Sequence, residues 1–145
     1  MHTHTQILQP GSSVATSLSD GEEVPKHVGL LQIKGERFKV DPIKLKTVRP
    51  FLLKEVALID HLDPMSSDLH EEIEKFLSET VQEMLHKHEE EMEDEEDEKR
   101  KNMLPLVRLK VDHTDFNRLA VQTQRFGAQF LGKLANPSSV LIFRR

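Results

Sequence analysis

Apolar and polar residues alternate in the first part of the chain in a way that predicts short strands. Residues 5–8 and 28–34 are apolar enough to predict strands, the second of them buried. Residues 37–45 alternate and are interrupted at Asp41-Pro42, which predicts a hairpin partner with a bulge or an edge position at Pro42. The Gly35-Glu36 dipeptide between the last two segments predicts the turn.

The second part of the chain combines strand patterns with two helical patterns. Residues 51–59 fit a strand or a helix by periodicity, and Pro50 with the β-branched residues favours the strand. Residues 66–88 predict the clearest helix, which begins with a capping-box pattern at Asp68 and Glu71. Its apolar positions recur at three- and four-residue steps and form one stripe: Leu69, Ile73, Phe76, Leu77, Val81, Met84, Leu85 and His88.

Three more elements are predicted towards the end of the sequence. Residues 106–111 alternate, which predicts a strand with one buried face and with Arg108 and Lys110 on the other face. Residues 122–134 predict a second helix, which Gly127 weakens unless the glycine allows close packing. Asn136-Pro137 ends that helix, and residues 140–143 predict a terminal strand.

Charge is distributed very unevenly along the 145 residues. The net charge is −5, but residues 89–98 contain nine acids, and without them the remaining chain is at +4. An acidic run of this kind indicates a solvated helix end or linker, and the alternatives are a docking patch for a basic partner or a decoy that competes with DNA. Basic residues 99–101 would neutralise part of the run.

Composition excludes several classes of protein. The chain has no cysteine, which excludes disulfide frameworks and cysteine zinc sites. We see no signal-peptide pattern and no apolar run long enough to cross a bilayer, so we expect no membrane partner.

Several short sequence motifs occur along the chain in a fixed order. They are Gln9-Pro10-Gly11-Ser12-Ser13, Lys26-His27-Val28-Gly29-Leu30-Leu31, Thr47-Val48-Arg49-Pro50-Phe51, Leu106-Val107-Arg108-Leu109-Lys110-Val111-Asp112, Gln124-Arg125-Phe126 and Ala135-Asn136-Pro137. Their combination resembles the eukaryotic meiotic recombination eleven double-strand-break repair nuclease family. The resemblance covers nearly the whole chain.

The resemblance implies an α+β fold in two parts. Residues 1–46 would be end strands of a metallophosphoesterase sandwich, and residues 47–145 a capping, DNA-binding domain. In the cap, a small mixed sheet would pack with two helices, and residues 89–101 would be a segment of variable length.

The family enzyme is a manganese-dependent exonuclease and endonuclease that acts in the nucleus. By resemblance, its partners are the DNA backbone, an ATPase of the structural-maintenance-of-chromosomes type and an adaptor subunit, and it forms homodimers through upstream sequence. The family's Asp-x-His, Gly-Asp and Gly-Asn-His metal motifs are absent from this chain. A two-metal centre needs such converging ligands, so we expect the chain alone to be catalytically inactive.

His2 and His4 are the only candidate metal ligands. Alternate residues of a strand point to one side, and the family carries a His-x-His before its Pro-Gly-Ser turn. The spacing to Pro10 is shorter than in the family, and a chance pair at the chain end is the alternative.

Basic and hydroxyl side chains carry the predicted chemistry. Eight basic residues, counting His27, lie within residues 26–49, and hydroxyls follow the Pro-Gly turn. Such groups bind phosphates without reading sequence. The candidate DNA-binding residues are Ser12, Ser13, Lys26, His27, Lys34, Arg37 and Arg49.

Two other functions stay open from the sequence. One is a non-catalytic interaction module that docks through the 66–88 helix and the acidic run. The other is a complete enzyme in its own right, which the missing metal motifs disfavour. A partial sandwich would also leave strands 5–8 and 28–34 without neighbours.

Overall fold

A computed structural model describes residues 7–95, 97–116 and 121–145. It contains two separate sheets and three helices among these residues. The elements are β1 (His27–Lys34), β2 (Arg37–Lys44), β3 (Phe51–Ala57), α1 (Leu69–Met92), α2 (Glu98–Lys101), β4 (Leu106–Asp112), α3 (Thr123–Ala128) and β5 (Leu141–Arg144). The α+β class predicted from the sequence is confirmed.

Strands β1 and β2 form an antiparallel hairpin by themselves. Their register is continuous from His27–Lys44 to Lys34–Arg37, so the bulge predicted at Pro42 is absent. Pro42 nevertheless lies on an edge, because each strand of a two-stranded sheet is an edge strand. All eight residues of β1 are exposed, so the predicted burial of this strand is wrong. The apolar run fits a buried strand, but none of the described residues covers it.

The predicted strand at residues 5–8 is not formed where it can be assessed. Ile7 and Leu8 belong to no strand, and residues 5 and 6 lie outside the described part of the chain.

The second sheet contains β3, β4 and β5 in that order, and all its strands are parallel. The expected mixed sheet is therefore wrong. Helix α1 lies between β3 and β4 in the sequence, and α3 lies between β4 and β5, and such connections allow neighbouring strands to run in the same direction. The strand predicted at residues 51–59 is confirmed up to Ala57, after which residues 58–60 form a 3-10 turn.

The core lies between one face of this sheet and the helices. Val107, Leu109 and Val111 alternate along β4 and are fully buried, as the pattern predicts. They belong to one cluster with the α1 residues Ile73 and Leu77, and the other buried members are Leu58, Val81, Leu85, Phe116, Phe126, Phe130, Leu134, Val140 and Leu141. The predicted stripe of the long helix is confirmed, although α1 begins at Leu69 without a side-chain cap from Asp68.

Helix α3 ends at Ala128 and is therefore shorter than the predicted 122–134. Gly127 packs closely against the chain beyond the helix, since a Cβ there would overlap the carbonyl oxygen of Pro137. The close packing anticipated for this glycine is therefore present. Phe126, Phe130 and Leu134 are buried as expected, whereas Leu131 beside them is 69% exposed.

Candidate nucleic-acid interface

The tip of the β1–β2 hairpin concentrates positive charge on one face. Lys34 lies opposite Arg37, and Lys39 lies opposite Gln32, so the pairing places all three cations on the same face. Gly35 has a φ of +60°, the left-handed conformation that a two-residue hairpin loop requires at its first position. The turn predicted at Gly35-Glu36 therefore sets the spacing of the cations.

Two of the three tip cations have no acidic partner among the described residues. Lys39 forms an ion pair of 2.6 Å with Asp41, whereas Lys34 and Arg37 form none. All three side chains are exposed. Exposed cations of this kind attract phosphates and release counterions when they bind them.

A second group of basic residues lines a cleft of about 220 Å³ at the base of the hairpin. The predicted residues Lys26 and Arg49 lie there together with Lys44, His88 and Arg100, and the cleft is also lined by three acids, Glu22, Glu23 and Glu91. Arg49 donates a hydrogen bond of 2.6 Å from Nη1 to the carbonyl oxygen of Leu104, which anchors its guanidinium. The structure thus divides the predicted binding residues into a tip group and a base group.

Arg100 was missed as a member of this cleft by sequence reasoning. It lies beyond the acidic run, and only the three-dimensional arrangement brings it near the hairpin. Its guanidinium is 3.2 Å from the carboxylate of Glu95, so part of the acidic run is neutralised as anticipated.

His88 lies at the same cleft and is buried at the end of the α1 stripe. Burial lowers its pKa, and the nearby Arg100 acts in the same direction while Glu91 and Glu89 oppose the shift. The neutral ring is therefore favoured, and His88 contributes packing to the cleft.

His27 is held by its own segment. The ring Nδ1 lies 3.0 Å from the carbonyl oxygen of Pro25, and the ring is exposed. This contact fits a local packing role, and it leaves Nε2 available to solvent.

The hydroxyl residues after the Pro-Gly turn serve two different purposes. Ser12 and Ser13 are exposed, and Ser12 Oγ accepts a bond of 3.4 Å from the Val14 amide. Thr16 and Ser17 instead donate to the Glu22 carboxylate.

Glu22 accepts five hydrogen bonds, from the amides of residues 16, 17 and 19 and from the hydroxyls of Thr16 and Ser17. These bonds, the Thr16 amide first, lower the pKa of Glu22 from 4.5 to about 2. Glu22 therefore stays ionised and organises residues 16–22 as a closed loop.

The described residues hold no group of three or more histidine, aspartate or glutamate side chains that fits a metal ion. His2 and His4 lie outside the described part of the chain. No helix within the described ranges is long and apolar enough to cross a membrane.

Comparison with known proteins matches this sequence to one family. A family model described as the Mre11 DNA-binding presumed domain matches residues 38–145. The chain belongs to the Mre11 DNA-binding domain family. The family assignment based on the short sequence motifs is thereby confirmed.

Three relatives are much longer than this chain. The chain is 44% identical over 148 residues to the double-strand break repair protein MRE11 of Coprinopsis cinerea, covering 96% of the chain and 20% of that protein. The protein of the same name from Arabidopsis thaliana is 43% identical over 139 residues, covering 96% of the chain and 18% of that protein. The one from Homo sapiens is 41% identical over 143 residues, covering 96% of the chain and 20% of that protein. The chain therefore spans about a fifth of the length of the curated relatives it matches.

Proposed function

We propose that this chain is the part of a double-strand-break repair nuclease that binds the DNA backbone and positions it over a phosphodiesterase site. The observation that carries the proposal is the match of residues 38–145 to a domain family described as DNA-binding. The relatives are named double-strand break repair proteins, which supports a proposed role in DNA repair and a nuclear location.

The unpaired cations at the hairpin tip support a backbone-directed mode of binding. Lys34 and Arg37 are exposed, lie opposite each other and lack carboxylate partners in the described ranges. The chain has neither Trp nor Tyr, and Phe38 is the one exposed phenylalanine in the described ranges, so stacking of successive single-stranded bases has little support. Phosphate contact without sequence readout is the mode that these side chains allow.

The exposed apolar residues of the hairpin support the proposed division at residues 46 and 47. Leu31, Ile33 and Phe38 share one face and are 55%, 69% and 50% exposed. A surface of this kind is normally covered, and the relatives are about five times longer than this chain. We assign residues 1–46 to the end of a phosphodiesterase domain and residues 47–145 to the cap.

Manganese belongs to the proposed complete enzyme, where two ions would activate water and stabilise the displaced oxygens of the phosphodiester. The described residues do not fit a two-metal centre, so their proposed contribution is limited to holding and orienting the DNA. The ATPase subunit, the adaptor subunit and a homodimer are proposed partners of that complete enzyme.

The structure weakens the alternative of a docking module that acts through the long helix. The apolar stripe of α1 is buried in the core, with Ile73, Leu77 and Val81 almost inaccessible. Of the two surfaces that this alternative invokes, the acidic run is the one that remains accessible. Under the proposed function, deletion of residues 89–98 should leave the DNA affinity unchanged or raise it. If the deletion instead abolished binding of a partner protein, the alternative would be favoured.

The direct test is the double variant K34Q/R37Q, with K75Q/K87Q as the control of equal charge on the exposed face of α1. Loss of two phosphate contacts should reduce the salt slope of DNA binding by about two, because each contact contributes about 0.9. The control should change the slope much less. An equal change in both variants would refute a binding site at the hairpin tip.

A further inference from the structure

The open face of the parallel sheet carries charged residues at its centre. Alternate positions of β4 face away from the core, and these are Arg108, Lys110 and Asp112. Register places Glu55 beside Lys110 and Arg144 beside Asp112 on the same face. Parallel sheets are normally covered on both faces, but Ile142 on this face is 42% exposed.

Lys110 is bound by acids from two distant parts of the chain. Its Nζ lies 2.7 Å from both carboxylate oxygens of Asp20 and 3.0 Å from Oε1 of Glu55. Arg144 donates to both oxygens of Glu55 at 3.2 and 2.8 Å, so the charge of Glu55 is shared. The Lys110 side chain is 16% exposed, whereas that of Asp20 is 74% exposed.

The loop that presents Asp20 does not depend on this contact for its shape. Glu22 closes residues 16–22 through hydrogen bonds that all lie within the loop. Leu18 has a φ of +51°, a conformation that costs a non-glycine residue energy and that surrounding contacts must maintain. Asp20 is therefore an exposed acid, on a preformed loop, that covers a more deeply placed cation.

Arg108 supplies a second observation on the same face. Its Nε is buried and has no hydrogen-bond partner among the described residues. A buried donor without an acceptor is uncommon in folded proteins and indicates a place for an additional acceptor. This face has three cations, Arg108, Lys110 and Arg144. Without Asp20 they would be balanced by only two acids of the same face, Glu55 and Asp112, which leaves a net positive charge.

We propose that the open face of the β3–β4–β5 sheet is a second phosphate-binding site, in which Lys110 binds a DNA phosphate and Asp20 occupies its place in the absence of DNA. This inference rests on the proposed function, that the chain binds a DNA backbone. Carboxylate and phosphate oxygens accept the same charge-assisted hydrogen bonds, so one can replace the other on an ammonium group. Release of counterions from DNA favours the exchange at low salt.

The test compares D20N with E79Q in the 145-residue chain, using a short DNA duplex and a salt series. Both variants remove one exposed acid, but Glu79 lies on α1 and has no ion pair within the described ranges. D20N should bind DNA more tightly than the unaltered chain, and its salt slope should be steeper by about one. Between about 200 and 50 mM salt, its advantage should grow roughly threefold to fourfold.

The Lys110→Met change determines which cation is responsible. D20N/K110M should lose the gain in affinity and slope that D20N shows, while thermal melting confirms that the variants are folded. Equal slopes for D20N and E79Q, or a gain that survives in D20N/K110M, would overturn the inference. In those cases DNA binding by the unaltered chain at low salt would still support the proposed function, and its absence would refute that function separately.

Inorganic phosphate at the same ionic strength distinguishes a free ion from DNA. It should leave the melting temperature of D20N unchanged, because a single free phosphate lacks the counterion release of a duplex. A stabilisation that disappears in D20N/K110M would assign the site to free phosphate and overturn its assignment to DNA.

Discussion

Asn136 is the residue whose replacement we expect to damage the cap most clearly. Strand β5 pairs with β4 only from Leu109 onwards, so the backbone of Val107 has no strand beside it on that side. The Asn136 side chain takes this place, since Oδ1 accepts from the Val107 amide and Nδ2 donates to the Val107 carbonyl oxygen, both at 2.8 Å. One amide side chain thus replaces a backbone neighbour.

The change Asn136→Ala removes both bonds and leaves two polar groups of a buried residue without partners. Each unsatisfied group costs about 1–3 kcal/mol. Water can reach part of this site because Asn136 is only half-buried, so we expect a loss of about 2–4 kcal/mol in the free energy of unfolding. For a chain of this size, that corresponds to a melting temperature lower by roughly 6–12 °C.

Urea unfolding followed by circular dichroism measures this loss. Ser139→Ala is the matched control, because it removes only a bond of 3.3 Å from Asn136 to an exposed hydroxyl, and it should cost less than about 0.5 kcal/mol. If N136A were as stable as S139A, the assignment of Asn136 as a substitute for the strand would be wrong.

Two other predictions concern the helix contact and the N-terminal loop. Gly127→Ala should destabilise the fold by about 2 kcal/mol or more in thermal unfolding, because the new Cβ would meet the Pro137 backbone. This loss should outweigh the gain of about 1 kcal/mol in helix propensity that alanine brings. The exposed control Ala128→Gly should lose only about 1 kcal/mol, and a stabilised G127A would refute the contact. The pKa of Glu22 is lowered, so the stabilisation of its loop is fully present above pH 4.5 and is lost as the pH falls towards about 2. A carboxyl chemical-shift titration should give a midpoint near pH 2, and a midpoint near 4.5 would contradict the hydrogen-bonded loop.

Local periodicity predicted the elements that form the core. The alternation on β4 and the stripe on α1 are direct consequences of burying one face, and both are found. The direction of the strands was also within reach, because a helix between two strands is typical of a parallel pair. The resemblance implied a mixed sheet, whereas the helical connections between consecutive strands give a sheet that is parallel throughout.

Features that depend on distant parts of the chain were not accessible to pattern analysis. Burial of β1 was predicted from its apolar residues, but such a run does not reveal whether another segment covers it. Lys110 and Asp20 are 90 residues apart, and Asn136 and Val107 are 29 apart, so no spacing rule connects them. Of the predicted binding residues, the structure groups Lys34 with Arg37 and Lys26 with Arg49, while Ser12 and Ser13 remain exposed without a basic partner in the described ranges.

The most direct measurement is the affinity of the 145-residue chain for a short DNA duplex as salt is raised from about 50 to 300 mM. If unpaired cations such as Lys34 and Arg37 bind phosphates, the logarithm of the affinity should fall linearly with the logarithm of the salt concentration, with a slope of about −2 or steeper. An affinity that does not change with salt, or no binding at the lowest salt concentration, would contradict a protein that binds the DNA backbone.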